Sequence, residues 1–121
     1  RDIIILGFHR IASALITEFE HRCPQILKKI KVIDHKQSLA GRLQSKGVAF
    51  AYGDISSPDV LEHAHHGAVD LVLITIPDKV IAGVTNLKLL EVSRKVWPAA
   101  HFIVTTDHHR TQEKLYLAGA N

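Results

Sequence analysis

Three carboxyl- and hydroxyl-bearing positions in this chain follow short apolar runs: Asp34 after Val32-Ile33, Asp54 after Tyr52-Gly53, and Thr75 after Leu73-Ile74. A fourth position, Gly7-Phe8-His9-Arg10, follows Ile3-Ile4-Ile5-Leu6. Together they suit recognition of a nucleotide. A glycine turn opening a helix presents free N–H groups to a phosphate, and Arg10 adds a fork that matches phosphate oxygens. Asp34 lies 22 residues past Ala12, where a carboxylate can accept from the hydroxyls of a ribose. It also suits the N-cap of a helix starting near Lys36. Asp54 has two readings of its own, an acceptor for an adenine amino group or the shaper of a turn before Ser56. Thr75-Ile76-Pro77 offers a hydroxyl and an apolar wall, with Pro77 equally suited to helix entry.

The glycine turn is a damaged fingerprint. The intact pattern is G-x-G-x-x-G, its second glycine admitting a pyrophosphate and its third packing helix on strand. Here His9 and Ala12 stand at the second and third places. An imidazole beside the turn either donates to a phosphate or crowds a pyrophosphate bridge, so a mononucleotide such as AMP is accommodated more easily than NAD.

These residues need a scaffold that delivers them to one edge. Five apolar, β-branched runs supply it: 3–6, 30–33, 48–52, 71–76 and 101–105. Continuous apolar strands alternating with helical segments describe a parallel sheet buried on both faces, hence an α/β, Rossmann-like, doubly wound fold. Ser57-Pro58 predicts a helix start, Ser56 and Asp59 have capping-box spacing, and Gly67 is positioned to end that helix. A longer helix is expected from Lys79 to Val96, with Val80, Val84, Leu87 and Leu90 on one face and Pro98 beyond its end. Leu39 and Leu43 share a face of a helix that Gly47 terminates, Cys23 sits at a helix end, and Gly119 closes the last helix. Trp97, Tyr52 and Phe102 are read as packing residues.

Composition narrows the classes. With 121 residues, 46% hydrophobic and 22% charged, the chain fits one globular domain over residues 1–121. It has no run of about 18 apolar residues, so no segment reads as a membrane span. A single cysteine excludes an internal disulfide. The net charge of +3 is spread out apart from Lys28, Lys29 and Lys31, which argues against nucleic acid and leaves a solvated strand entry or contact with an acidic surface. Nine histidines include His63, His65, His66 and the pair His108-His109, but sequence neighbours diverge on a helix, so no metal site is expected. Tyr52 and Tyr116 have no lysine four residues on, which speaks against a short-chain reductase. Absence of methionine from a chain starting at Arg1 suggests a piece of a longer polypeptide.

The segments I-L-G-F-H-R-I-A, V-I-D, Y-G-D-I-S-S-P-D-V-L, L-V-L-I-T-I-P-D and the closing L-A-G-A-N resemble the TrkA-N, or RCK N-terminal, domain family over essentially the whole chain. The T-I-P-D and T-N-L-K-L stretches look most like the tails of Kef-type cation:proton antiporters. The resemblance implies a cytosolic regulatory domain, not an enzyme, that binds an adenine nucleotide or NAD(H) and forms a homodimer. It further implies a membrane transport domain in the same polypeptide, at the cytoplasmic side of the inner membrane. It places Gly7, Phe8 and Arg10 at the phosphate turn, Asp34 at the ribose, Asp54 and Ile55 at the adenine, and Ile76 and Pro77 at the edge after the fourth strand; His9, which replaces a family glycine, and Ile11, His35 and Thr75 complete the candidate binding residues. Family domains often carry an arginine after the fifth strand, where this chain has Thr105-Thr106-Asp107. They also continue into a sixth strand past the G-A-N turn, so a truncated, exposed edge is expected here. The competing readings are a degenerate Rossmann dimerisation module without ligand, with Val84 to Leu90 as its contact face, and a small NAD-dependent oxidoreductase.

Overall fold

The computed structural model describes residues 2–65, 67–75 and 86–104. The elements run β1 (Asp2–Leu6), α1 (Arg10–Arg22), a 3-10 segment (Pro24–Lys29), β2 (Ile30–Asp34), α2 (Leu39–Ser45), β3 (Ala49–Tyr52), α3 (Pro58–Ala64), β4 (Val69–Ile74), α4 (Asn86–Val96) and β5 (His101–Val104). All five strands pair in parallel in the order β3-β2-β1-β4-β5. The strand order therefore reverses at β1, between β2 and β4. This is the Rossmann-like doubly wound sheet that the alternating pattern predicts.

Each sheet face has its own core, as continuous apolar strands require. On one face Ala12 and Ile16 of α1, spaced four apart, join Leu39 and Leu43 of α2 over Ile5, Ile30, Val32 and Leu73. On the other, Leu61 of α3 and Leu89, Leu90 and Val92 of α4 close over Ile4, Leu6, Ile33, Val72, Ile74 and Phe102. Ile4, Ile5 and Leu6 are wholly buried. Each such side chain contributes about 1.5–3 kcal/mol relative to exposure.

Local chemistry sets the element ends. Ser57 caps α3, its Oγ accepting from Val60 N, and Pro58 occupies the first turn where its missing N–H costs nothing. The capping-box reading of Ser56 with Asp59 is corrected: Ser56 belongs to the turn before the helix, where it bonds Asp54. Helix α3 ends at Ala64, with His65 as its C-cap, so Gly67 (φ +124°) serves the turn into β4 rather than the helix end. The Lys31 ammonium reaches from β2 to the Ala64 carbonyl at 2.7 Å and so covers one of the open carbonyls ending α3. Gly47 (φ +85°) follows α2 as expected, and Cys23 ends α1, exposed.

The fourth strand begins and ends two residues earlier than the expected 71–76, since Val69 pairs with Asp2 at the foot of β1. Of the expected Lys79 to Val96 helix, the described part is Asn86–Val96, ending before Pro98. Trp97 and Phe102 are buried, but Tyr52, expected to pack, is 62% exposed at the end of β3, an edge strand of the sheet. Ile76, Pro77, Val80, Val84, Thr105, Gly119 and the expected exposed edge after the fifth strand lie outside the described residues. No helix among the described residues is long and apolar enough to cross a membrane.

Candidate functional site

Strand register brings the candidate residues into one row. Leu6 is aligned with Ile33 of β2 and Ile74 of β4. One residue further on, Gly7, Asp34 and Thr75 therefore stand side by side at the carboxyl ends of the three central strands. Asp34 in turn pairs with Tyr52. Because side chains alternate, this row belongs to the same face as Ile5, Val32 and Leu73, the face covered by α1 and α2. The crevice outside the strand ends, where strand order reverses, is the place such folds use for ligands.

At the first turn Gly7 adopts φ +80°, a conformation that side chains other than glycine take up only with strain, and its N–H bonds Ile33 O at 2.8 Å. His9 is extended and precedes α1; its carbonyl accepts from Ser13 N, but its side chain makes no capping bond. No acidic residue lies in the first turn of α1. The N–H groups of Arg10, Ile11 and Ala12 thus open towards the crevice end of the sheet without a side-chain acceptor, which is the geometry that receives an anion. His9, Arg10 and Ile11 are exposed, Phe8 packs partly on the α1 core, and Ala12 is fully buried between helix and sheet.

Asp34 is the hub of the row. Its Oδ2 accepts from Phe8 N at 2.7 Å and its Oδ1 from Lys36 N at 2.8 Å. The helix-cap reading of Asp34 is corrected: the bond to Lys36 closes a local turn, and α2 begins only at Leu39. His35 Nδ1 lies 3.6 Å from Oδ1. The main-chain carbonyl of Asp34 accepts from Gly53 N at 3.0 Å, joining the loop after β3 to the end of β2. Gly53 has no room for a side chain, since a Cβ there would lie 2.4 Å from Val60 Cγ1.

In that loop the Asp54 carboxylate takes Ser56 N at 2.9 Å and Ser56 Oγ at 2.7 Å. These two bonds hold its pKa below the ordinary value, with a smaller contribution from the charge of His35. So Asp54 shapes the turn, while Ile55 is buried in the α3/α4 core. Thr75 closes the row on the β4 side. It is 2% exposed, and its Oγ1 has no hydrogen-bond partner among the described residues. A buried hydroxyl without a partner is costly, and here it stands at the strand-order reversal beside Gly7.

Two relations escaped the sequence. The tie from Phe8 N to Asp34 joins residues 26 apart, and no spacing rule announces it. Tyr52 shares the row with Asp34, which only the pairing of β2 with β3 reveals. Of the histidines weighed as metal ligands, His63 Nδ1 contacts Asp59 O at 2.7 Å and His65 Nε2 lies 3.1 Å from Asp2 Oδ2, while His66, His108 and His109 lie outside the described residues.

The profile of the TrkA-N domain family matches residues 3–121. No curated protein sequence matches the chain. Among solved structures, the TrkA-N domain of the inner membrane protein ybaL from Escherichia coli superposes with a TM-score of 0.79 at 19% identity, over 99% of this chain and 83% of that one. The GsuK channel bound to NAD gives 0.76 at 24% identity, over 98% of this chain and 20% of that one. GsuK bound to ADP gives 0.75 at 25%, over 99% and 30%. A triphenylmethane reductase from Citrobacter sp. shares the fold at 0.70 and 16% identity, over 98% of this chain and 46% of that one. The chain thus spans less than a third of the channel chains it resembles.

Proposed function

The chain belongs to the TrkA-N domain family, and from that premise we propose that it is a nucleotide-binding regulatory domain, not an enzyme, controlling potassium or cation transport. The transport domain belongs to the same polypeptide, of the Kef-type cation:proton antiporter kind, and the domain works on the cytoplasmic side of the inner membrane as a homodimer. The observation that carries the reading is the row Asp34, Gly7, Thr75 at the strand-order reversal, with the Thr75 hydroxyl buried and unpartnered at its end. GsuK structures with NAD and with ADP support an adenine nucleotide as the ligand class.

The residues fit such a ligand. The turn Gly7, Phe8, His9, Arg10 and Ile11 would hold a phosphate through backbone N–H groups and the Arg10 fork. Asp34 and His35 would meet the ribose, with Asp54 and Ile55 on the adenine side and Thr75, Ile76 and Pro77 lining the far edge. AMP is favoured over NAD(H), because His9 puts a side chain where a pyrophosphate would cross and the buried Ala12 holds α1 off the sheet by one methyl group more than glycine. Regulation requires that the nucleotide bind two states of the dimer unequally; tight binding to both would shift nothing.

A second reading, a dimerisation module without ligand, draws on His9 and Ala12 standing in place of the fingerprint glycines and on the engagement of Asp54 with Ser56. Thermal-shift titration with AMP, ATP, NAD and NADH separates the two. Saturable stabilisation, largest with AMP, is expected, since a ligand that binds only the folded state raises its midpoint. No shift with any of the four at millimolar concentration would leave the module without ligand as the better account.

A further inference from the structure

The proposed site has a direction. Its phosphate turn follows β1, its ribose acid ends β2, and β3 lies outside β2 at the edge of the sheet. In a nucleotide the phosphate and the base leave the furanose from its two ends, with the hydroxyl edge between them. A ribose held at Asp34 with its phosphate towards Gly7 therefore sends its base over the end of β3, about 4.8 Å further along the sheet.

Tyr52 is the last residue of β3 and is aligned in register with Asp34. Aligned residues of a parallel pair point to the same face, so the phenol ring stands next to the carboxylate. It is 62% exposed, and residues 35–38, which lead from β2 to α2, are exposed as well. The other large apolar side chains exposed among the described residues are Ile11, at the head of α1 by the phosphate end, and Ile103, on β5 across β1 from β3. Ile55 is 7% exposed and packs in the core of the opposite sheet face, so its side chain has no surface to give a base. Asp54 offers a polar edge alone, its Oδ1 already taken by Ser56 N and Oγ.

We propose that Tyr52 is the base-selecting residue of the site, its ring stacking on the purine of a nucleotide whose ribose is held by Asp34. This rests on the nucleotide reading above. Stacking takes an apolar face of the ring and one of the base out of water together. It needs the π face of the side chain and not its hydroxyl, so phenylalanine serves as well as tyrosine and an aliphatic residue does not. The ring thus favours a ligand that carries a base over a bare sugar phosphate.

The test is calorimetric titration of the whole 121-residue chain with AMP, and with ribose 5-phosphate in competition against it, in the unsubstituted chain, Tyr52→Phe and Tyr52→Leu. Both probes carry the same ribose and phosphate, so the ratio of their affinities reads the base. The preference for AMP is expected to stay within about twofold in Tyr52→Phe and to fall by about tenfold in Tyr52→Leu. Proton NMR supplies a readout that a merely structural role would not move: the ring current should shift adenine H2 and H8 upfield on binding to the unsubstituted chain and to Tyr52→Phe, and not to Tyr52→Leu. Should Tyr52→Leu fail to fold, those shifts in the other two chains decide. A preference unchanged in Tyr52→Leu, a loss in Tyr52→Phe as large as in Tyr52→Leu, or base protons that do not move in the unsubstituted chain each overturns the proposal while leaving nucleotide binding intact. Failure of AMP to bind the unsubstituted chain overturns the nucleotide reading, and the proposal falls with it.

Discussion

Asp34 Oδ2 holds the amide of Phe8 at 2.7 Å, so the acid ending β2 and the turn following β1 are joined across 26 residues. The same carboxylate fixes its own following turn through Lys36 N. The residue proposed to read a sugar is therefore also a structural tie.

Asp34→Ala is accordingly expected to do two things. It strips acceptors from two part-buried amides, a loss of about 1–3 kcal/mol in urea denaturation. It also abolishes the AMP-induced thermal shift. Asp34→Asn, which keeps one acceptor oxygen, should lose less stability. An Asp34→Ala chain that binds AMP as tightly as the unsubstituted one would remove Asp34 from the site.

Thr75→Val should separate folding from binding. Removing a buried hydroxyl that has no partner is expected to raise stability by about 1 kcal/mol, while the shift produced by AMP shrinks. Differential scanning calorimetry with and without AMP reads both. A variant that is less stable and responds to AMP unchanged would make Thr75 an ordinary packing residue.

Gly53→Ala drives a methyl group to within 2.4 Å of Val60 Cγ1, in a segment tied to Asp34 O. Overpacking of this kind costs about 1–3 kcal/mol. Adding Val60→Ala should recover part of that loss, a positive coupling that a double-mutant cycle in urea measures.

The Asp54 turn gives a pH dependence with a defined sign. Its pKa is lowered in the folded chain by the two Ser56 bonds, so its stabilising contribution is present above the unfolded value and is lost as pH falls through the folded one. In Ser56→Ala the acid limb of the stability curve, below about pH 4, should be shallower than in the unsubstituted chain. Urea midpoints from pH 3 to pH 7 check this; identical slopes would show that Asp54 gains nothing from the Ser56 hydroxyl.

The sheet was legible because its strands are continuous apolar runs, and burial on both faces leaves that pattern no other use. Leu39 and Leu43 could be assigned to one helix face because they are four residues apart. What escaped depends on contacts between segments. Ser57 before Pro58 was readable as the helix start, but the capping-box spacing of Ser56 with Asp59 misled, because Ser56 is held by Asp54, a competition that spacing alone does not decide. Tyr52 looked like core because aromatic residues usually are; its exposure follows from β3 lying at the edge, a property of strand order rather than of the residue. Thr75 was named from its place after the fourth apolar run; the burial of its hydroxyl without a partner among the described residues is a property of the packing, which its position in the sequence does not carry.

Strand order also governs when the crevice can exist. Its two walls are β1 and β4, paired through Leu6 and Ile74, while β2 and β3 assemble on the other side of β1. During synthesis the first three strands emerge before either the β4 wall or Thr75 has been made. Contacts so distant in sequence close late, because the chain between them must be ordered first. A nucleotide bound across the row would therefore engage only a chain whose sheet is complete through β4, and its occupancy would report that folding has reached that point.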